Sequence, residues 1–359
     1  MPDELAKNLP ELSRKATQNV SDILQHSIKF DSTINKALVV FDTQNELTNI
    51  LTSAYKTALP DAQFVDFETV SKDEIIALFD SLSPQDLVVM VQTSSFRLDE
   101  FRIRIHLFNK KLKVIEHVHL YRNPPETWEI YINSLSYDPN WYGVMGPKLQ
   151  QKLGNCENLR IKTRNGDQTC EVMVHGGVEI PKLNTGDYTN MPNIGGTFPI
   201  GEVFTEAKDL STMNGSFWVY AFADTKFEIM LPEIFRVDIK EGLVVGWSDN
   251  APQEFIFVVQ NVAALERPII REIGFGLNRA MSKSLVLGDI TAFERIVGVH
   301  LSMGEKHSVY KKEGISSHKA RFHVDLFLQT DTVTVDNEII FENDSYVIQP
   351  CSPSSILLQ

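Results

Sequence analysis

Histidine and carboxylate side chains gather in one stretch near the end of the chain. Four of the nine histidines lie between residues 296 and 328: His300, His307, His318 and His323. Apolar and polar residues alternate along 321–328, which predicts a β-strand with His323 and Asp325 on one face. An imidazole and a carboxylate that converge form a bidentate anchor for a divalent metal ion. A hydrogen-bonded pair on a half-exposed strand is the alternative, and the nearby His300 favours the metal site.

Two glutamates upstream could complete such a site. Glu202 follows a Gly/Pro-rich segment, and Glu272 precedes two glycines that allow close backbone approach. Taken alone, each is more typical of a solvated loop acid. Together with His300, His323 and Asp325 they offer five nitrogen and oxygen ligands, more than one tetrahedral zinc requires. Such a set can hold two ions about 3.5–4 Å apart with a bridging water.

The elements before this region have a different pattern. Apolar segments at 36–41, 63–67, 87–91 and from 113 alternate with helical patterns at about 43–59, 71–82 and 96–109. This alternation predicts a doubly wound, mostly parallel sheet. The first turn, residues 41–44, contains no glycine, so no phosphate-binding loop or nucleotide cofactor is expected there. His117 and His119 are predicted to share a strand face and are interpreted as structural or as lining a domain interface.

Closely spaced strands replace this pattern after Asn155. Asn165-Gly166 between two alternating runs is a strong hairpin signal, and further strands are predicted at 215–220, 234–239 and 243–247. The sequence therefore predicts an α/β plus α+β fold. An N-terminal α/β domain (residues 1–150) precedes a C-terminal β-rich metal-binding domain (residues 151–359).

Composition narrows the class of protein. The chain has 359 residues, 43% hydrophobic and 23% charged, with a net charge of −13. This charge argues against nucleic acid or an anionic membrane as partner. Residues 1–20 lack the apolar core of a signal peptide, and no run approaches the ~20 apolar residues of a membrane span. Three widely spaced cysteines indicate neither a disulfide framework nor a thiolate zinc site, and a cytoplasmic protein is expected.

Four sequence blocks follow one another in order: Gly201-Glu202-Val203-Phe204-Thr205, Glu272 to Asn278 with its glycines, His300 followed by Gly304, and His323-Val324-Asp325. Together they resemble the thermophilic metallo-aminopeptidases of the aminopeptidase T and aminopeptidase S type. The resemblance covers roughly the last 200 residues well and the first half only in outline.

The resemblance implies a dinuclear centre and a hydrolase. Glu202, Glu272, His300, His323 and Asp325 would ligate two divalent ions (zinc, cobalt or manganese). The substrate would be the N-terminal residue of a peptide, and the protein would be a homodimer. One glutamate could act as general base; the sequence leaves open which, and Glu272 is the candidate.

The chain departs from the family pattern at two positions. The family carries a catalytic tyrosine seven residues after the first histidine. That position is His307 here, with Tyr310 three residues further on. Either residue could supply the catalytic group. The second departure is Glu206-Ala207, where the family usually has Ala-Pro.

Two other functions compete with the aminopeptidase. His300, His323 and Asp325 could form the facial triad of a mononuclear Fe(II) enzyme, and the resemblance extends to a ring-cleaving dioxygenase of the same superfamily. Retention of both Glu202 and Glu272 favours the dinuclear hydrolase. The third alternative is a binding protein that has lost catalytic activity.

Overall fold

The computed structural model describes residues 2–98, 102–189, 191–307, 309–315 and 319–348, with side chains from residue 8 onward. Short 3-10 turns occur at Phe67–Thr69, Leu120–Arg122, Pro125–Thr127 and Leu210–Thr212, and a π-helical turn at Ile23–Ser27. The α-helices of the described residues are α1 (Pro2–Asp22), α2 (Glu46–Ala58), α3 (Lys72–Asp80), α4 (Ile103–Asn109), α5 (Trp128–Ser134), α6 (Pro139–Gly154), α7 (Gln253–Leu265) and α8 (Ile290–Phe293).

The strands are numbered in chain order. Those of the described residues are β1 (Ala37–Phe41), β2 (Gln63–Asp66), β3 (Leu87–Val91), β4 (Lys113–His117), β5 (Asn158–Asn165), β6 (Gln168–His175), β7 (Lys182–Asn184), β8 (Ile194–Thr197), β9 (Glu202–Thr205), β10 (Met213–Ala223), β11 (Ile229–Met230), β12 (Phe235–Lys240), β13 (Leu243–Trp247), β14 (Ile270–Gly276), β15 (Gly298–Met303), β16 (Val324–Leu328), β17 (Thr330–Val335), β18 (Glu338–Glu342) and β19 (Ser345–Tyr346).

The chain divides into two compact units, each built from separate segments. The first unit contains Met1–Val144, Asn184–Glu202 and Leu277–Ile296. The second contains Met145–Leu183, Val203–Gly276 and Val297–Gln359.

A five-stranded parallel sheet forms the centre of the first unit. Its order is β2-β1-β3-β4-β8, and every neighbouring pair is parallel. Buried side chains of α3 and α4 pack on one face against alternate residues of β1, β3 and β4. Because neighbouring strand residues face opposite ways, the intervening residues point to the other face, and α2 contacts β1 and β3. The predicted parallel sheet of an α/β unit is confirmed.

Several element boundaries in this unit differ from the prediction. The helical pattern predicted from about residue 43 begins instead at Glu46, and its cap is Asn45, whose side chain accepts a hydrogen bond from the backbone of Leu47. Helix α4 begins only at Ile103, and the start of the predicted helix includes residues 99–101, which lie outside the described residues. His119 does not continue β4, because its backbone is left-handed (φ 52°).

The fifth parallel strand, β8, was not predicted because its Ile-Gly-Gly-Thr sequence lacks an apolar run. It pairs with β4 through contacts that require a glycine. A Cβ on Gly195 (φ +107°) would lie 1.8 Å from the carbonyl oxygen of Val114. Gly195 and Gly196, which belong to the Gly/Pro-rich segment before Glu202, are therefore part of a strand.

A fourteen-stranded sheet dominates the second unit. Its main path is β19-β18-β17-β5-β6-β10-β16-β15-β14-β9-β7. The predicted hairpin is confirmed: β5 and β6 are antiparallel, and Gly166 between them is left-handed (φ 57°). In the middle of this sheet, β16, β15 and β14 are antiparallel neighbours, and all three strands are buried along their full length.

Within the described residues, none of the helices combines the length and apolar character needed to cross a membrane.

Candidate metal centre

Three side chains of the candidate centre lie on one face of three neighbouring strands: Glu272, His300 and Asp325. His323 immediately precedes β16, because the strand predicted over 321–328 begins only at Val324. Glu272 of β14 pairs with Ser302 of β15, and Ser302 pairs with Asp325 of β16. Directly opposed residues share a face, and so do residues two apart in one strand, which adds His300 to the same side. The predicted alternation therefore corresponds to one polar surface, whereas Ile273, Leu301, Val324 and Leu326 are buried hydrophobic residues of the alternate positions.

Five side chains converge here, and we call them the histidine–carboxylate cluster: Glu272, His300, His307, His323 and Asp325. Glu272 Oε1 lies 3.5 Å from His300 Nε2 and 3.9 Å from His323 Nε2. Its other oxygen, Oε2, lies 3.6 Å from His307 Nε2. His323 Nε2 is also 3.4 Å from Asp325 Oδ1. One ligand atom each from Glu272, His323 and Asp325 falls within 4.8 Å of the others, a spacing suited to a metal ion.

Gly274 makes room for His300. The two residues face each other across β14 and β15. A Cβ on Gly274 would lie 2.1 Å from His300 Cε1 and 2.2 Å from Nε2. The imidazole thus lies across the backbone of β14, which explains why a glycine stands two residues after Glu272.

Asp325 is held as a carboxylate although it is buried. Burial by itself would raise its pKa, but His323, then His300 and the Ser302 hydroxyl, outweigh burial and hold the pKa of Asp325 well below its ordinary range. The Ser302 hydroxyl donates a hydrogen bond to Oδ1. An ionised, oriented carboxylate is the form that ligates a cation.

His323 is oriented through its other ring nitrogen. Its Nδ1 lies 3.1 Å from the backbone carbonyl oxygen of Lys306. A carbonyl can only accept, so Nδ1 carries a hydrogen, and Nε2 is the ring nitrogen directed toward Glu272 and Asp325. Metal-ligating histidines are commonly fixed in this way by a carbonyl or carboxylate.

The segment after β15 brings His307 to the cluster. It starts at Gly304 (φ +119°), where a Cβ would lie 2.3 Å from the carbonyl oxygen of Phe322. Only glycine tolerates both this conformation and this contact. His307 is 5% exposed, with its ring 6.2 Å from that of Phe204 and 5.3 Å from that of Tyr310.

Tyr310 is directed elsewhere. Its hydroxyl donates a hydrogen bond to the carbonyl oxygen of Ile180 at 2.8 Å. Burial raises the pKa of Tyr310 to about 12. The hydroxyl is thus engaged by the backbone in this structure. His318, the remaining histidine of this stretch, lies outside the described residues.

A buried ion pair supports the segment that carries His307. Arg271 and Glu206 are fully buried and paired. The Arg271 guanidinium also donates to the carbonyl oxygens of Glu305 (3.1 Å) and Tyr310 (3.0 Å). Burial raises the pKa of Glu206, although Arg271 and then Lys312 oppose this. Because Arg271 precedes Glu272 in β14, one strand carries both a cluster carboxylate and the anchor of the His307 segment.

Glu202 is the last residue of its segment in the first unit. It is buried, and Arg295 Nη1 pairs with its Oε2 and, at 2.9 Å, with Glu294. Asn278, buried in the same unit, donates to the carbonyl oxygens of Ile200 (3.1 Å) and Ser134 (2.8 Å). Asn278 therefore fixes the backbone two residues before Glu202.

The supporting groups were not recognised in the sequence. A signal existed for two of them: Ser302 stands two residues after His300, and Arg271 is, with Glu272, one of two charges in an apolar strand, which requires a buried partner. The carbonyl of Lys306 carries no sequence signal, because every residue has one.

Comparison with known proteins identifies a fold but no family. No protein-family model matches the chain, and no curated protein matches its sequence. Among solved structures, wild-type AmpT from Thermus thermophilus is similar, with a TM-score of 0.58 and 10% sequence identity over 93% of this chain and 99% of that one. At this identity the similarity shows a shared fold.

Proposed function

We propose that this protein is a metal-dependent aminopeptidase with a dinuclear divalent metal centre. The observation that carries the proposal is the histidine–carboxylate cluster on β14, β15 and β16. The fold similarity to AmpT, an aminopeptidase, supports the class of reaction.

The donor set fits divalent transition metals. Imidazole nitrogen and carboxylate oxygen bind zinc at about 2.0–2.2 Å, so two ligands of one ion are about 3.0–3.5 Å apart. The separations between His300, His323, Asp325 and Glu272 are 3.4–3.9 Å, close to that value. When bound, the ions would polarise a peptide carbonyl and lower the pKa of a water molecule.

The residues have distinct roles in this proposal. His300, His323, Asp325 and Glu272 would hold the ions, and the resemblance implies Glu202 as a fifth ligand. Ser302 and the Lys306 carbonyl orient Asp325 and His323. Arg295 forms an ion pair with Glu202.

Glu272 and His307 are the candidate catalytic groups. A glutamate not fully committed to metal can accept a proton from the attacking water, and Glu272 has both oxygens directed at the cluster. His307 occupies the position of the family tyrosine. Tyr310, the other candidate, is less suited because its hydroxyl is bonded to the Ile180 carbonyl.

Metal content and peptide hydrolysis together test the proposal. Protein purified without chelator is expected to contain about two equivalents of zinc, cobalt or manganese per chain and to release N-terminal residues from peptides. Glu272→Gln should abolish hydrolysis, whereas Glu254→Gln, on an exposed part of α7, should leave it unchanged.

One equivalent of iron would support the Fe(II) dioxygenase, with His300, His323 and Asp325 as its triad. Absence of metal, even after divalent ions are added, would leave a binding protein. The homodimer implied by the resemblance stays a prediction.

A further inference from the structure

We propose that His307 is itself a metal ligand, so that this chain binds its ions with three imidazoles. This inference rests on the proposed metal centre and assigns one more donor to it. It concerns the position at which the chain departs from the tyrosine of the family it resembles.

The two oxygens of Glu272 face different histidines. Oε1 faces His300 at 3.5 Å and His323 at 3.9 Å, whereas Oε2 faces His307 at 3.6 Å. Glu272 therefore has a nitrogen donor beside each of its oxygens. In the proposed centre, His307 would supply the nitrogen on the Oε2 side.

The spacing fits shared coordination better than direct proton transfer. A separation of 3.6 Å is too long for a hydrogen bond, so His307 and Glu272 are not positioned to exchange a proton directly. The same spacing separates His300 from Glu272, and His300 is assigned as a ligand. Two donors bound to one ion at about 2.0–2.2 Å have nearly this separation.

The backbone around His307 is fixed independently of any ion. Arg271 binds the carbonyl oxygens of Glu305 and Tyr310, which lie on either side of His307 in the chain. The Lys306 carbonyl, immediately before His307, orients the ligand His323. One short segment therefore both carries a donor and orients a second one, as expected for a preorganised site.

The inference predicts the class of metal. Imidazole suits zinc, copper, iron and nickel, whereas magnesium and manganese prefer carboxylate, carbonyl and water ligands. A third imidazole should therefore shift the second site toward the nitrogen-binding metals.

Cobalt titration of metal-free protein tests the assignment without relying on catalysis. The readouts are the visible absorption of bound Co²⁺ and equilibrium dialysis. Wild-type protein should bind two equivalents. His307→Gln should keep one equivalent at wild-type affinity and bind the second at least about tenfold more weakly, because loss of even an orienting group costs that much. His175→Gln, on the exposed end of β6, is the matched control and should bind like wild type.

A second measurement uses the wild-type protein and does not depend on the folding of a variant. Co²⁺-loaded protein should show three strongly shifted imidazole N–H proton resonances, one per ligating histidine. Two such resonances, or unchanged affinity for both ions in a folded His307→Gln variant, would overturn the role of His307 while leaving the proposed function intact. Fewer than two equivalents in wild-type protein would overturn the dinuclear centre and this inference together.

Discussion

Gly274 shows how closely single residues determine the cluster. No side chain fits between β14 and the His300 ring, because a Cβ at this position would meet three ring atoms within 2.8 Å. Gly274 therefore affects the proposed metal site by leaving room for the ring of His300, the residue opposite it.

Gly274→Ala is expected to displace His300. Overpacking of this kind costs about 1–3 kcal/mol of stability, and metal affinity should fall together with the melting temperature. Calorimetric metal titration and thermal unfolding measure the two effects. Gly143→Ala in α6 is the control: no atom lies within 4 Å of its Cβ position, and stability should stay within about 1 kcal/mol of wild type or rise. Unchanged metal affinity in Gly274→Ala would contradict the packing argument.

His117 is a buried histidine of the first unit that the cluster does not use. Its ring nitrogens lie 2.8 Å from the Tyr55 hydroxyl and 3.0 Å from the Tyr131 hydroxyl. Burial lowers the pKa of His117 to about 3, so the folded protein keeps it neutral. The interpretation of His117 as structural agrees with this network.

The lowered pKa predicts loss of stability in acid. Below about pH 6.5 the unfolded chain takes up a proton at His117 that the folded chain refuses until about pH 3. The free energy of unfolding should therefore fall by about 2–3 kcal/mol from this residue between pH 7 and 4.5. Hydrogen exchange of β1 and β3 at the two pH values measures it. His117→Gln should remove this part of the pH dependence and His175→Gln should not; equal pH dependence in both variants would contradict the assignment.

Among the structural elements, β14 is connected to the segment around His307 by Arg271, which is ion-paired with Glu206 and hydrogen-bonded to the backbone of Glu305 and Tyr310. Both charges are fully buried, and Arg271 adds two backbone carbonyls to its partners. Removal of Arg271 takes the fully buried partner from Glu206, which keeps Lys312 at 3.4 Å, and breaking a buried pair in this way is strongly destabilising.

Arg271→Met should cost about 3–5 kcal/mol of stability and increase hydrogen exchange at His307 and Tyr310. Denaturant unfolding and exchange mass spectrometry measure the two effects. In the double variant with Glu206→Leu the stability should recover in part, because no unpaired charge remains, but the exchange should stay fast. Arg164→Met breaks an exposed pair with Asp331 (2.8 Å) and should cost at most about 1 kcal/mol. Wild-type exchange in Arg271→Met would refute the anchoring role.

At the scale of the whole molecule, metal binding and stability are linked. A ligand that binds the folded chain alone stabilises it by about 2.7 kcal/mol at a concentration 100-fold above Kd. The cluster brings two carboxylates and three histidines together from strands far apart in sequence, so the unfolded chain has no equivalent site.

Chelator treatment should therefore lower the melting temperature, and added zinc should raise it in proportion to the logarithm of its concentration. Differential scanning calorimetry across a zinc series measures this dependence. The double variant His323→Ala/Asp325→Ala is the control and should respond less. A melting temperature independent of both chelator and zinc would argue against a folded-state metal site.

Features that depend on local periodicity could be predicted from the order of the residues. Alternation in residues 321–328 placed His323 and Asp325 together, apolar segments separated by helices gave the parallel sheet, and Asn165-Gly166 gave the hairpin. Each depends on residues close in the chain, where side-chain direction follows from backbone geometry.

Tertiary structure alone decided the features that depend on contacts between distant residues. The register of β14 against β15 placed Gly274 opposite His300, a carbonyl of residue 306 oriented His323, and Arg271 met Glu206 across 65 positions. Strand β8 pairs with β4 in the parallel sheet, although its two glycines are more typical of a loop. Pairing and burial of this kind arise only when the folded chain brings separate segments into contact, so no local pattern encodes them.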